Sequence, residues 1–359
     1  MIDRDDLKAA VGSGLLSEKQ AASLISLSDS RRGARENLTA GDEPFELLKG
    51  FNEIFIVIGL LILSIGWWGV VTLALGDRIV NLQDYAMWVT VAGGVLLWLL
   101  SEYFIRRRRM VAPAIALSVM FASNAAFGFI ATMSQPFMVA QGDYSSVPWP
   151  LFLATLTLAV YWWRFRVPFA MAMIAVGLFA VAIIYTASRG GRIEGINDLF
   201  LLSADGPFAF ITLALGLVVF AAAMAFDMSD PHRVTRRSAN GFWLHVVAAP
   251  ALVNTVALTL LDQGNGGSNA VLLGLLTLFA LIAIVIDRRS FLIAAIGYIV
   301  VLAGTVLDGD GAALTVLLLG IALLFLGAFW ERIRARILRL MPGFVPLHKL
   351  PPSHIQGLT

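Results

Sequence analysis

The sequence predicts an all-α protein, a polytopic membrane helix bundle of about ten transmembrane helices with both termini cytoplasmic. Three observations predict it. Hydrophobic residues make up 58% of the 359 and charged residues only 14%, with a mean hydropathy of +0.81, far from the balance of a water-soluble domain. From Ile54 onward, apolar runs of membrane-crossing length alternate with short polar breaks. Lys and Arg then gather in every second break, which is the signature of a fixed orientation.

Residues 1–50 precede the runs and read as a cytoplasmic arm. A first helix over Arg4 to Val11 stops at Gly12-Ser13-Gly14. Ser17 then N-caps a second helix, with Gln20 three residues on reaching back to the cap. The apolar residues of this hairpin (Leu7, Val11, Leu15, Leu16, Leu24, Ile25, Leu27) are too few for a core of their own, so it packs on something else. A DNA-reading helix-turn-helix needs a basic recognition face, and the arm has seven basic against nine acidic residues. Together with a net charge of only +2, this argues against a nucleic-acid partner. Gly33 to Asp42 is a polar linker, and Pro44 starts a juxtamembrane helix over Phe45 to Lys49.

Residues 51–330 carry ten runs: Ile54–Leu75, Ala86–Ile105, Met110–Thr132, Pro148–Trp163, Val167–Ala187, Pro207–Phe226, Phe242–Leu261, Ala270–Ile286, Ser290–Val306 and Gly311–Trp330. The fourth, eighth and ninth are short for a hydrocarbon core of about 30 Å, and flanking Trp149, Trp163, Arg164 and Arg288 would make up the length. On one side lie the arm, Arg106-Arg107-Arg108-Arg109, Arg164 and Arg166, Arg233, Arg236 and Arg237, Arg288 and Arg289, and the tail. The other side holds Arg78, Arg189 and Arg192 against nine acids. An odd number of spans breaks that pattern. The four consecutive arginines are thus a topological anchor as well as a contact for anionic headgroups. Trp88 and Trp149 on one side, and Trp162, Trp163, Trp243 and Trp330 on the other, form two belts, with Trp67-Trp68 lying deeper.

Residues 331–359 begin as a basic amphipathic helix, with Ile333, Ile337 and Leu340 on one face and Arg332, Arg336 and Arg339 beside it as lipid anchors. Pro342, Pro346, Pro351 and Pro352 then predict an extended tail without regular structure. Between the spans, the longer far-side loops are Met133–Val147 and Ser188–Gly206, the second carrying an interfacial helix through Ile193, Ile196, Leu199 and Phe200.

Two stretches carry a resemblance. Gly14-Leu15-Leu16-Ser17-Glu18-Lys19-Gln20 stands ahead of the spans, and Gly50-Phe51-Asn52-Glu53-Ile54-Phe55 with Leu340-Met341-Pro342 and Leu350-Pro351-Pro352 stand at the two membrane borders. In these the chain resembles proteobacterial membrane proteins of the domain-of-unknown-function type, which open with a helical hairpin. The resemblance implies a bacterial inner-membrane location and supplies no activity. Arginine outnumbers lysine 22 to 4, which fits a GC-rich bacterial genome.

Several chemistries lack their residues. With no cysteine there is no thiolate nucleophile, iron–sulfur cluster or cysteine zinc site. No phosphate-binding Gly-x-x-x-x-Gly-Lys loop, His-Glu-x-x-His or Gly-x-Ser-x-Gly occurs, and of four histidines only His245 lies in a span. No catalytic residue, metal site or cofactor is expected. The ionisable groups at span ends are Glu102, Asp227, His245 and Asp287. Each has a bland reading as an interface anchor, with Glu102 paired to Arg106 one turn on. The sharper reading has Glu102 and His245 meeting across helices as a proton relay. Deeper, Asn124 and Asn254 fall at similar depths in parallel spans, as packing glue or as a site for a small polar solute; Pro250 frees a carbonyl near Asn254. Gly93-Gly94, Gly216, Gly274 and Gly320 permit close helix contact. The function expected is that of a non-enzymatic membrane scaffold or interaction protein, binding a membrane or cytoplasmic protein partner through its arm and the lipid bilayer through its basic tail. The alternative is a secondary transporter of a small molecule or ion, possibly proton-coupled, as ten spans divide into five plus five.

Overall fold

The computed structural model describes residues 4–31, 51–76, 82–191, 195–203, 206–263, 266–288, 317, 320–321, 324–343 and 346–352. Regular structure among them is entirely helical. The chain divides into two compact units: residues 44–193 form the first, and residues 1–43 with 194–359 form the terminal unit.

The first unit contains α3 (Phe51–Gly76), α4 (Leu82–Ser101) running into a π-helical turn (Glu102–Arg107), α5 (Ala112–Met133), a short α6 (Met138–Gln141), α7 (Pro148–Phe165) and α8 (Pro168–Ser188). Proline in the first turn starts α5, α7 and α8, where its missing N–H costs nothing. The core is aromatic: Phe121 stacks on Tyr161 at 4.6 Å, and Trp98 meets the Phe165 edge at 4.9 Å. The Tyr161 hydroxyl is satisfied by Ser101 Oγ at 2.8 Å. Two glycines set helix spacing that no other residue permits. A Cβ on Gly128 would lie 2.5 Å from Thr90 Cγ2, and one on Gly177 would lie 2.5 Å from Thr155 Oγ1. Gly93 faces Asn124 in the same way, as expected, with a notional Cβ 2.8 Å from Oδ1, whereas Gly94 stands at an ordinary 3.5 Å from Nδ2. Among the described residues nothing lies within 4 Å of a Cβ placed on Gly274 or Gly320.

The terminal unit holds α1 (Arg4–Gly12), α2 (Glu18–Arg31), a 3-10 turn (Ile196–Leu199), α9 (Phe208–Met228), α10 (Arg236–Asp262), α11 (Gly266–Ile286) and α12 (Trp330–Leu340). The capping box forms as the sequence predicts: Ser17 N–H donates to Gln20 Oε1 at 3.0 Å, and Gln20 N–H donates to Ser17 Oγ at 3.2 Å. The arm finds its missing core on the bundle, where Ala21, Ala22 and Val11 pack with Val234. Gly216 brings α9 against Ala251 and Leu252 of α10, at 3.0 and 3.1 Å from a notional Cβ.

Among the described residues, seven helices are long and apolar enough to cross a membrane, over Phe51–Leu73, Gln83–Arg107, Ala112–Met133, Pro168–Ser188, Phe208–Met228, Arg236–Asp262 and Gly266–Ile286. Their outward faces are apolar; α3 leaves Phe55, Ile62, Ile65 and Leu73 more than half exposed. The fourth expected span is a helix, α7, but stands outside those seven, because Tyr161 to Arg164 dilute its apolar character. The eighth is not short: its helix begins at Gly266 rather than Ala270, since Gly, Ser and Asn continue a helix that hydropathy alone ends. The ninth expected span, half of the tenth, the polar linker and the juxtamembrane helix fall outside the described residues.

At the C-terminus one expectation is added to and one is corrected. The buried face of α12 is Trp330, Arg334, Ala335 and Leu338, whereas Leu340 is 82% exposed. An arginine replaces isoleucine on the packed face because helix-end carbonyls await it there. The tail is not extended throughout, as Leu347–Lys349 form a 3-10 turn and Leu350 and Pro351 are buried.

Candidate functional site

The densest buried polar cluster described lies in the terminal unit, where α9 ends, α10 begins and α11 ends. Helix α9 continues past the apolar run to Met228, which places Asp227 inside the helix and 3% exposed. His245, fully buried on α10, donates from Nε2 to Asp227 Oδ2 at 2.9 Å. From beyond α11, Arg288 donates to the same carboxylate through Nε (2.9 Å to Oδ2) and Nη2 (2.6 Å to Oδ1), and to the Ser238 carbonyl at 2.9 Å. Gly241 makes this possible, since a Cβ there would collide with Asp227 Oδ1.

A second layer surrounds the first. Asp287 takes a left-handed backbone, φ 57°, to end α11, and its side chain accepts from Arg233 Nη1 at 2.9 Å and from Trp330 Nε1 at 2.8 Å. Arg233 Nη2 donates to the Asp287 carbonyl at 2.6 Å. Asp230 accepts from the backbone N–H of Val234 (3.1 Å) and Thr235 (2.9 Å) and from the Thr235 hydroxyl (2.7 Å), and so caps the turn into α10. Arg334, 1% exposed, donates to the α11 carbonyls of Ile284 (3.1 Å) and Val285 (3.4 Å) and to the tail carbonyls of Pro351 and Pro352. A cation at a helix C-terminus also meets the negative end of the helix dipole. Burial lowers the pKa of both Arg288 and Arg334 from the ordinary guanidinium value. Asp287 beside Arg334 opposes that shift. Three guanidinium groups (Arg233, Arg288, Arg334) thus balance three carboxylates (Asp227, Asp230, Asp287).

The chain matches no family model, no curated protein and no solved structure. The cluster holds a carboxylate–imidazole pair, but its donors and acceptors face one another, a geometry suited to fixing chain segments. Among the described residues, no group of His, Asp and Glu could hold a metal ion.

The residues singled out in the sequence fall into separate settings. Glu102 pairs within the first unit, 3.1 Å from Arg106 Nη1 and 2.6 Å from Arg164 Nη2, while His245 pairs with Asp227; each finds its partner inside its own unit. Asn124 donates from Nδ2 to the Thr90 carbonyl at 2.9 Å, and Asn254 is half-buried on α10 of the other unit. Arg106, Arg107, Arg108 and Arg109 are all exposed, with Arg108 donating to the Tyr103 hydroxyl at 3.1 Å. Arg332, Arg336 and Arg339 are exposed on α12, as lipid anchors need to be. Sequence reasoning passed over Glu53, whose carboxylate accepts from the N–H of Val111 (3.3 Å) and Ala112 (3.0 Å) and caps α5 across the first unit. Its signal was an acid one residue before an apolar run. Arg233 and Arg334 were counted as charges only, and nothing local marks them as buried.

The arginine-bearing turns share a device. Arg109, Arg166, Arg233 and Asp287 all adopt φ of 54–57°, where glycine is the usual occupant. Keeping a long charged side chain there costs about 1 kcal/mol each. The side chain is used: Arg166 lies over the Trp162 ring at 5.1 Å, and Arg233 reaches Asp287.

Proposed function

We propose that this chain is a non-enzymatic, ten-span protein of the bacterial inner membrane, with both termini cytoplasmic, that presents its N-terminal hairpin to a protein partner. The observation that carries this reading is the ionic plate beneath the hairpin. Asp230 caps the turn that seats Val234 against Ala21 and Ala22, and the Ser238 carbonyl in the first turn of α10 accepts from Arg288. Leu15, Leu24 and Leu27 remain exposed on the arm, the last two beside its packed face, and offer an apolar patch for a partner. The one-sided basic residues support the orientation. The exposed arginines of α12 support contact with anionic headgroups.

A photo-cross-linking residue at Leu15 or Leu27 in cells should give a discrete protein adduct, lost when Ala21→Asp unseats the arm. Absence of an adduct at every arm position would end the reading. Reporter fusions at Gly142 and Gly266 should report the external face and one at Ser229 the internal face; an external Ser229 would overturn the topology. In proteoliposomes with an internal pH dye the scaffold reading expects no proton flux. Flux lost in His245→Gln would instead favour proton-coupled transport.

A further inference from the structure

In the first unit, Trp67 of α3 and Asn124 of α5 converge on Gly93 of α4. Were Gly93 to carry a Cβ, that atom would lie 2.8 Å from Asn124 Oδ1 and 3.5 Å from Trp67 Nε1. The Asn124 amide is oriented by its Nδ2 bond to the Thr90 carbonyl, which leaves Oδ1 toward the glycine. The indole N–H of Trp67 is buried and has no protein acceptor among the described residues. Between these groups is a cavity of about 40 Å³ lined also by Ser64, Leu60, Leu97 and Met120.

Depth makes this arrangement informative. Gly93 lies on the order of 16 Å along α4 at 1.5 Å per residue, far from either end of its helix. At that level no bulk water satisfies an indole N–H, and an unsatisfied donor costs several kcal/mol in hydrocarbon. A lipid tail has no acceptor for it. The cavity exceeds the roughly 10–15 Å³ a single water requires, and its walls are mostly aliphatic. A ligand that fits must therefore bring an acceptor to Trp67, a donor to Asn124 Oδ1 or Ser64, and a short apolar body to the leucines.

We propose that Trp67, Asn124 and Gly93 form a mid-membrane binding site for a small uncharged amide or alcohol with a short alkyl body. Gly93 is its floor, since any side chain there occupies the space between the two polar groups. Trp67 donates to the ligand oxygen and Asn124 Oδ1 accepts from its N–H or O–H. The site stands apart from the ionic plate and does not depend on the arm having a partner.

The test uses the full chain in lipid nanodiscs with butyramide as the probe. Tryptophans are labelled as 5-fluorotryptophan, and the Trp67 signal is identified by its loss in Trp67→Phe. Butyramide should shift that signal saturably and give a saturation-transfer signal of its own. Gly93→Ala should weaken its affinity at least tenfold, and so should Asn124→Leu, which keeps the branched side-chain outline while removing the acceptor. Trp67→Phe, read by saturation transfer alone, covers the case in which Gly93→Ala fails to fold. A shift that grows linearly without saturating would overturn the proposal. So would equal affinity in the variants, or a Trp67 signal that responds only to exchange of water for heavy water, which would make the cavity a hydration site.

Discussion

The two units solve the same problem, holding apolar helices together, with different currencies. The terminal unit fastens helix ends by long-range charge: Arg288 reaches Asp227 over 61 residues of chain, and Arg233 reaches Asp287 over 54. The first unit relies on shape, with Thr90 against Gly128, Thr155 against Gly177 and a stack of Trp98, Phe121, Tyr161 and Phe165. Apolar surface alone gives little drive for helix association in lipid, so each unit needs a second source of specificity. Charge fixes which ends meet and tolerates almost no deletion. Close packing fixes the distance between helices and tolerates almost no addition.

The largest effect should therefore come from deleting one charge. Asp227→Asn keeps the shape but leaves Arg288 buried without its counter-charge, and the terminal unit should lose about 3–5 kcal/mol. Unfolding in mixed detergent micelles reads this directly; a loss under 1 kcal/mol would mean the ion pairs do not hold the unit. Next comes an added methyl in the first unit. Gly128→Ala should cost about 1–3 kcal/mol, partly restored by a second change, Thr90→Gly, which removes the Cβ, Cγ2 and Oγ1 that the added methyl would strike. No rescue would show that the helices are spaced by something else.

Smaller still is Glu102→Gln. Its partners Arg106 and Arg164 are partly exposed, so the change should cost less than about 1 kcal/mol and leave any transport activity intact. A large loss would move charge to the centre of the first unit's stability as well. The smallest effect is on the arm. Burial first, and the neighbouring Asp230 second, raise the pKa of Glu18 above its ordinary value. A carboxyl raised in the docked state contributes most to docking below its undocked pKa, and that contribution is lost as pH rises through the raised value. Hydrogen-exchange protection in α2, taken relative to the intrinsic exchange rate at each pH, should accordingly fall from mildly acidic to neutral pH, and Glu18→Gln should flatten the change.

How much of this could be read in the sequence follows from range. The capping box at Ser17 and Gln20 spans three residues and was legible in full. Helix existence was legible because twenty apolar residues outweigh any local propensity, whereas boundaries were not. Arg236 to Gly241 and Gly266 to Asn269 are polar yet helical, so hydropathy cuts α10 and α11 short. That error hid the site, because a span ending at Phe226 makes Asp227 an interface anchor instead of the centre of a network. The ionic partners lie 18 to 61 residues apart, and no periodicity links residues at such distances. On α12 the periodicity itself misled. Ile333, Ile337 and Leu340 are a plausible apolar stripe, and only the free carbonyls at the end of α11 select Arg334 for the inside.

The separation of Asp227 from Arg288 also has a meaning in time. Chains leave the ribosome at about 5–20 residues per second, so the carboxylate reaches the membrane several seconds before the guanidinium that balances it. Arg233, six residues after Asp227, and His245, 18 residues after it, both emerge in between and can accompany that charge. During biogenesis Arg233 and His245 would then be interim escorts, with the carboxylate passing to a bidentate partner once α11 is complete.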